Sequence, residues 1–373
     1  MAIHHGPRLT LTRASIAFTC VRTIEGAGLM LNSFLGAMGE DIAIDLGTAN
    51  TLIFVPGRGV VLEEPSVIAI KGANGERSVI AVGTKAKQMI GRTPEGVEAI
   101  RPMRDGVISD FVAAEEMVRH FIQRAKRRLG VLRPRVIVCV PASSTPVERR
   151  AIYESTLAAG ARRVIMIEEP VAAAIGAKLP IGEPLGSMVV DIGGGTTDIA
   201  VLASGGIVKA LSVRCAGNAM DEAIMRHIRR AHSLVIGEAN AERMKIEAGT
   251  ASRINGKAVD VVIRGRDLKN GFPTEVVLRP SDIAEALSTP IDTIADAIQR
   301  MLEQIPPELA ADISDRGVCL TGGGALLHNL DIELALRTGV EFFMAEAPQH
   351  SVINGCGIVL ANHQSYESFL IRP

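Results

Sequence analysis

The stretch MVVDIGGGTTDIAV, residues 188–201, has two apolar runs of strand length on either side of a glycine-rich turn. Glycine admits backbone conformations closed to other residues, and successive N–H groups in such a turn form a concave anion site. Asp191, at the end of the first run, is placed to hold a cation that a polyphosphate also binds, directly or through water. The alternative is a plain β-hairpin, but hairpin turns need one or two glycines and not three after a buried acid. The stretch therefore predicts a phosphate-binding hairpin.

The same pattern occurs twice more along the chain. Residues 41–55, DIAIDLGTANTLIFV, again place an acid and a glycine turn between two strand-like runs. Residues 319–327, CLTGGGALL, end an apolar run with a third glycine turn and begin a helical pattern. Two acidic hairpins that face each other would hold one metal–polyphosphate from both sides, and the third turn would take the nucleoside.

Length and composition narrow the class of protein. The chain has 373 residues, enough for two domains, and its 47% hydrophobic and 22% charged residues are typical of a globular protein. A net charge of -1, no Trp and only two Tyr argue against a nucleic-acid binder. The five cysteines form no CxxC pair and are interpreted as reduced thiols. No apolar run approaches the roughly 20 residues that span a bilayer.

Two apolar segments are candidate membrane contacts. Residues 1–29 have no clear period and are interpreted as disordered, or as sequence translated ahead of a start at Met30. In residues 30–38 the apolar side chains recur at helical spacing, which predicts a short amphipathic helix in a membrane interface; they are Met30, Leu31, Phe34, Leu35 and Met38. The alternatives are a helix packed on the body of the protein or a frayed end. Leu129, Val131 and Leu132 form a possible second contact, with a loop tucked onto the domain as the alternative.

The middle of the chain alternates strand and helix patterns, which favours an α/β architecture. One buried strand runs into Glu168-Glu169-Pro170. A carboxylate at this place can orient a water molecule, although an acid at a helix N-terminus is also favoured by the helix dipole. Because Pro170 follows Glu169, Glu169 is the better candidate, as the helix cap and the inward-facing residue. Residues 101–108, RPMRDGVI, predict an irregular charged connector, and residues 241–247 predict a charged helix that is either solvated or a clamp on an adenosine.

These motifs together resemble the actin/Hsp70/sugar-kinase ATPase superfamily. The resemblance rests on DLGTANT at 45–51, EEPVAAAIG at 168–176, DIGGGTT at 191–197 and LTGGGAL at 320–326. Within the superfamily, RPMRDGVI at 101–108, VERRA at 147–151 and PPEL at 306–309 are similar to the MreB family of bacterial actins. The similarity runs from about residue 40 to about residue 361.

The resemblance implies an α/β, actin-like fold, a duplicated ribonuclease H-like architecture with two lobes and four subdomains around a nucleotide cleft. The first lobe would comprise residues 40–181 with a small insertion at 69–101, and would also include 351–373. The second would comprise 182–350 with a small insertion at 218–280, and residues 1–39 would form an N-terminal extension.

The resemblance also implies ATP and Mg²⁺ and assigns roles by position. Asp45 and Asp191 would hold hydrated magnesium, and Glu169 would position the attacking water. The phosphates would be held by Gly47, Thr48, Ala49, Asn50, Gly193, Gly194, Gly195, Thr196 and Thr197. The adenosine would be enclosed by Glu242, Arg243, Met244, Lys245, Gly322, Gly323, Gly324 and Ala325. One departure stands out, because Asn218 replaces an acid that the family has near the nucleotide, which puts affinity or turnover in question.

The implied function is a slow ATPase that polymerises with itself and organises cell-wall synthesis to maintain rod shape. It would lie in the cytoplasm on the inner face of the cytoplasmic membrane, with membrane proteins of wall elongation as partners. Two alternatives share the cleft. An Hsp70-type chaperone needs a further β-rich peptide-binding domain, and a small-molecule kinase needs an acidic base beside an acceptor pocket; the sequence indicates neither.

Overall fold

The computed structural model describes residues 41–72, 77–126, 133–252 and 260–371. The predicted amphipathic helix at 30–38 and the apolar loop at 129–132 lie outside these residues, so both stay predictions. Within the described residues, no helix combines the length and the apolar character needed to cross a membrane.

The first large sheet is built around the hairpin that contains Asp45. Its strands are β1 (Ile42–Leu46), β2 (Asn50–Val55), β3 (Gly59–Pro65), β9 (Arg135–Val140), β10 (Arg163–Glu168) and β19 (Leu370–Ile371), in the spatial order β19-β10-β9-β1-β2-β3. β1 pairs antiparallel with β2 and parallel with β9, which pairs parallel with β10. β1 and β9 are almost wholly buried and β10 is about half buried, in keeping with their Val- and Ile-rich sequences.

The second large sheet repeats this plan around the hairpin that contains Asp191. Its strands are β11 (Ser187–Ile192), β12 (Thr197–Ala203), β13 (Gly206–Val213), β17 (Val318–Thr321) and β18 (Phe342–Met344), in the order β13-β12-β11-β17-β18. Again the first strand pairs antiparallel with its hairpin partner and parallel with a strand much later in sequence. Two sheets with one topology are what a duplicated fold requires.

Helices cover the sheets and separate them. They are α1 (Thr84–Lys87), α2 (Phe111–Ala125), α3 (Pro146–Ala158), α4 (Glu169–Gly176), α5 (Gly217–His232), α6 (Glu238–Ala248), α7 (Pro280–Glu303), α8 (Pro307–Arg316), α9 (Leu330–Thr338) and α10 (Ser351–Ala361). α4 and α10 share one apolar cluster with buried residues of both large sheets. A Cβ atom at Gly176 or Gly355 would collide with the backbone of the facing helix, so these glycines let the two helices cross closely. The pair α4 and α10 therefore joins the two sheets.

Two small three-stranded sheets lie in the regions of the predicted insertions, the first of them beginning one residue before 69–101. β4 (Ile68–Lys71), β5 (Ser78–Val82) and β6 (Val97–Ile100) form one, and β14 (Leu234–Val235), β15 (Val261–Asp267) and β16 (Pro273–Leu278) form the other. The division of the chain into lobes at the predicted boundaries stays a prediction.

The segment at 101–108 is more regular than the sequence predicts. β7 (Met103–Arg104) and β8 (Val107–Ile108) pair as a minimal hairpin. Asp105 and Gly106 form its turn with φ values of 50° and 77°. Glycine adopts a positive φ without steric strain, so Gly106 allows a tight turn here. The prediction of an irregular connector did not take this into account.

Candidate functional site

A cavity of about 540 Å³ opens where the two large sheets face each other. Both acidic hairpins, the third glycine turn, the start of α4 and the inner side of α6 line it. The predicted residues that line it are Asp45, Gly47, Thr48, Ala49, Asn50, Glu169, Asp191, Gly193, Gly194, Gly195, Thr196, Glu242, Lys245, Gly322, Gly323 and Gly324. The structure thus brings together motifs that are nearly 300 residues apart in the chain.

The turns of the two acidic hairpins lie directly against each other. A Cβ atom at Gly194 would stand 2.5 Å from the Cβ atom of Ala49, and one at Gly195 would stand 2.7 Å from Oγ1 of Thr48. Thr48 Oγ1 also accepts a hydrogen bond from Gly106 N at 3.1 Å. Any side chain at either glycine would push the hairpins apart, so this approach needs glycine at both positions.

Four carboxyl groups lie at the bottom of the cavity or just beneath it, those of Asp45, Asp191, Asp198 and Glu169. Burial raises the pKa of Asp45 to about 6, opposed by a hydrogen bond that the Cys139 thiol donates to Asp45 Oδ1 at 3.2 Å. Burial likewise raises the pKa of Asp191 to about 7, although Thr321 Oγ1 donates to Asp191 Oδ1 at 2.9 Å. The pKa of Asp198 rises to about 6 for the same reason. The floor therefore concentrates negative charge where water is scarce, and a cation would relieve the repulsion.

Glu169 and Glu168 have separate environments. Glu168 pairs with Arg149 at 3.1 Å and does not line the cavity. Glu169 lines the cavity, and its pKa is raised well above the usual value by burial first and then by the charges of Asp198, Asp45 and Asp191. Of the two adjacent acids, only Glu169 can act on a molecule in the cavity.

The donor atoms on the floor suit a hard divalent cation. Carboxylate oxygens are the ligands that Mg²⁺ prefers, with waters completing its shell. Ligand atoms of Asp45, Glu169 and Cys139 all lie within 4.8 Å of one another. Asp45 and Glu169 offer carboxylate oxygens around one space, and Asp191 also lines the cavity, which fits a hydrated magnesium ion.

The opposite wall of the cavity is cationic at one point. Lys245 of α6 donates from Nζ to the Gly217 carbonyl at 2.8 Å and lies 2.8 Å from Asp221 Oδ1. Burial raises the pKa of Asp221 to about 6, while the Lys245 charge lowers it. This pair ties α6 to the first turn of α5 beside the cavity.

Four predicted residues point elsewhere. Thr197 is fully buried and donates from Oγ1 to the Cys215 carbonyl at 2.7 Å. Met244 and Ala325 belong to the apolar core, and Arg243 pairs with Glu247 on the surface of α6. Their neighbours in sequence line the cavity, but consecutive residues of a strand or helix project in different directions. These four residues of the predicted runs therefore do not line the cavity.

Several lining residues were not predicted as site residues. Gly217 and Asp221 belong to the motif in which Asn218 is the departure, so that motif could have identified them, and Asn218 itself lines the cavity. Gly106 lies in the turn of the minimal hairpin at 103–108. The glycine itself was the only feature of the sequence that could have indicated a turn there. Pro348 and Gln349, in a short 3₁₀ helix before α10, carry no sequence signal for a site.

Comparisons with known proteins agree with this geometry. A family profile described as MreB/Mbl protein matches residues 39–368. The cell shape-determining protein MreB of Escherichia coli (strain K12) is 52% identical over 335 residues, covering 89% of this chain and 96% of that protein. The cell shape-determining protein Mbl of Bacillus subtilis (strain 168) is 46% identical over 323 residues, covering 87% and 96%.

Solved structures are similar over the same length. MreB5 of Spiroplasma citri bound to AMPPNP superposes with a TM-score of 0.83 at 35% identity, covering 88% of this chain and 98% of that one. A structure of the same protein bound to ADP gives the same values. The MamK double helical filament gives a TM-score of 0.72 at 19% identity, covering 86% and 98%, which supports the fold alone.

Proposed function

This chain belongs to the MreB/Mbl protein family, and from that membership we propose that it is a filament-forming, nucleotide-dependent cytoskeletal protein that determines cell shape. Its fold is actin-like, as the repeated sheet topology and the similarity to MreB5 establish. Relatives that share about half of its residues are cell shape-determining proteins.

One observation carries the proposal. Two hairpins, one from each large sheet, bring an acid and a glycine turn to the same cavity. ATP is the proposed ligand, supported by the AMPPNP and ADP bound to MreB5 of S. citri. The N–H groups of the two turns would bind its phosphates, and Asp45 and Asp191 would hold Mg²⁺. The metal would neutralise charge on the phosphates.

The residues of this chain support hydrolysis that is slow. Phosphoryl transfer requires positioning and charge neutralisation more than covalent participation of the protein. Glu169 lines the cavity, and its role would be to orient a water molecule as a single carboxylate. Slow turnover suits a polymer whose contacts depend on nucleotide state, because the two states can bias one another only if they bind differently.

We propose further that filaments attach to the inner face of the cytoplasmic membrane and act on wall synthesis. The amphipathic pattern at 30–38 and the apolar residues at 129–132 support the attachment. Membrane proteins of wall elongation are the proposed partners, and the two lobes with their insertions are the proposed domains.

Sedimentation tests this function directly. The purified chain is centrifuged with ATP, with ADP and without nucleotide, and phosphate release is measured in parallel. Pelleting that depends on ATP is expected, and a protein that binds ATP but never pellets would contradict filament formation. Transfer of phosphate to a small acceptor, in place of release to water, would favour a kinase.

Membrane attachment needs a separate measurement. Vesicles of anionic phospholipid are co-sedimented with the intact chain and with a chain lacking residues 1–38. Loss of vesicle binding with retained nucleotide binding is expected in the truncated chain. Unchanged co-sedimentation would reject the anchor.

A further inference from the structure

Two ion pairs, Lys87–Glu242 and Arg101–Glu238, lie beside the cavity, and Glu242 lines it. The edge of the cavity at Glu242 is called its mouth. Lys87 at the end of α1 and Arg101 just after β6 come from the region of the first small sheet. Glu238 and Glu242 come from the first two turns of α6. The partners are 155 and 137 residues apart in sequence, so only the tertiary fold brings them together.

The geometry of both pairs is close. Lys87 Nζ lies 2.7 Å from Glu242 Oε2 and 2.8 Å from Oε1. Arg101 contacts both oxygens of Glu238, with Nη2 at 2.7 Å from Oε1 and Nη1 at 3.0 Å from Oε2. Two parallel contacts from one guanidinium fix orientation as well as distance. The four side chains are 22–34% exposed, so water reaches them but does not surround them.

The placement on α6 gives these pairs a consequence for the cavity. Glu238 and Glu242 are four residues apart on one face of the helix, where like charges repel unless cations lie opposite. Lys87 and Arg101 supply those cations. The next turn of the same helix carries Lys245, which reaches Gly217 and Asp221 at the cavity wall. Moving α6 away from the first small sheet would break both ion pairs and would widen the cavity entrance.

We propose that Lys87, Arg101, Glu238 and Glu242 form an ionic latch that holds the cavity mouth closed and slows the release of bound nucleotide. The latch rests on the proposed nucleotide binding for its effect, but its closing contacts are properties of the ligand-free chain. Glu242 thereby acquires a role different from the adenosine contact predicted for it, because its carboxylate is held by a cation across the mouth.

The strength of the latch suits repeated opening. Partly exposed ion pairs are individually weak, and two of them on one helix act together. Such contacts bias a closed state without locking it. Reversing one charge replaces an attraction with a repulsion, so the expected effect on the release rate is about fivefold.

Nucleotide release is the first measurement. A fluorescent ATP analogue with Mg²⁺ is bound to the full-length chain and chased with excess ATP in a stopped-flow instrument. Arg101→Glu and Glu238→Arg should each accelerate release about fivefold, and the double variant should return toward the original rate because the pair is restored with its charges exchanged. Glu275→Lys is the matched control. Glu275 pairs with Arg264 on the second small sheet, both side chains are exposed, and neither lines the cavity.

The double variant, in which the two charges are exchanged, distinguishes a latch from a general disturbance of the fold. If both single variants release nucleotide at the original rate, or if the double variant is as fast as the singles, the latch is wrong. A similar acceleration in Glu275→Lys would also overturn it, because the effect would then follow net charge and not the specific pair.

Hydrogen exchange gives an answer that does not depend on nucleotide. Amide exchange in residues 238–248 is followed in the ligand-free chain and in the same variants. Faster exchange in Arg101→Glu that is reversed in the double variant supports the closing contacts of the latch. This holds even if the chain binds no nucleotide, and that outcome would contradict only the proposed function. Equal exchange in all variants would reject the latch while leaving nucleotide binding intact.

Discussion

The floor and the mouth of the cavity are built by opposite means. At the floor, the turns at Gly194 and Gly195 pack directly against Ala49 and Thr48, and the carboxyl groups of Asp45 and Asp191 have strongly raised pKa values. At the mouth, two partly exposed ion pairs join segments that otherwise stand apart. At the floor, Gly194 and Gly195 stand where no larger side chain fits, whereas the mouth depends on pairing between opposite charges.

The difference teaches where rigidity and reversibility come from. A buried carboxylate deprived of water interacts strongly with whatever cation enters, because the local dielectric is low. A partly hydrated ion pair gains little and loses little when it opens. We therefore expect substitutions on the floor to affect chemistry and affinity, and substitutions at the mouth to affect rates of entry and exit.

The largest effect is expected at Glu169. Glu169→Gln keeps the shape of the side chain but removes the carboxylate that would orient the attacking water. Phosphate release should fall by about 100-fold, the usual scale for a positioned acid or base. Affinity for ATP should stay nearly the same, as measured by titration with a fluorescent analogue. An unchanged hydrolysis rate would remove Glu169 from the mechanism, and Glu168→Gln serves as the control because Glu168 does not line the cavity.

The next effect concerns the contact between the hairpins. Gly194→Ala adds a Cβ atom 2.5 Å from that of Ala49, so the turns must separate. Overpacking of this kind costs about 1–3 kcal/mol, and because the separated turns would no longer present their N–H groups together, ATP affinity should fall by about fivefold or more. Calorimetric titration measures it, with Gly182→Ala as the matched control, since a Cβ there meets nothing within 4 Å. Equal affinity in both variants would mean that the hairpins need not touch.

A smaller effect is expected in the pH dependence of stability. The pKa of Asp191 is raised in the folded chain from 3.8 to about 7, so between these pH values the folded state binds more protons than the unfolded state. Stability of the ligand-free chain should therefore fall as pH rises from about 4 to about 7. Asp191→Asn removes this contribution and should flatten the decline in Tm by about 2–4 °C, measured by calorimetry. An identical slope in both proteins would show that Asp191 is not held in a desolvated state.

The smallest effect is expected from ionic strength, which should change the rate of nucleotide release through the ion pairs at the mouth and not through the buried floor. Raising ionic strength from about 0.1 M to about 1 M shortens the screening length from about 10 Å to about 3 Å and weakens partly exposed pairs most. Release of the ATP analogue should accelerate about twofold in the original chain. In Arg101→Glu the same change screens a repulsion, so the acceleration should vanish. If salt changed the release rate equally in the two proteins, the salt dependence would not come from the Arg101–Glu238 pair.

Much of the floor could be predicted from the sequence because its requirements are local. A glycine turn after an acid-terminated strand specifies its own geometry, and the motifs around Asp45, Asp191 and Gly322 do line one cavity. The adjacent proline pointed to Glu169, which does line the cavity, but the helix cap is Glu168 and not Glu169 as predicted. Local patterns failed where direction matters, as with Thr197, Met244 and Ala325, whose side chains enter the core. A run of sequence does not reveal which of its members faces the ligand.

By itself, the sequence determined the α/β class, the strands and the three glycine turns, since these depend on periodicity and on backbone freedom over a few residues. Only the tertiary structure decided that Gly106 and Gln349 reach the cavity and that Arg101 meets Glu238 across its mouth. Those contacts join segments more than 50 residues apart, and their partners are fixed by how two sheets pack on the α4 and α10 pair. Packing of this kind sums many weak contacts over the whole chain, so no single stretch carries its signature.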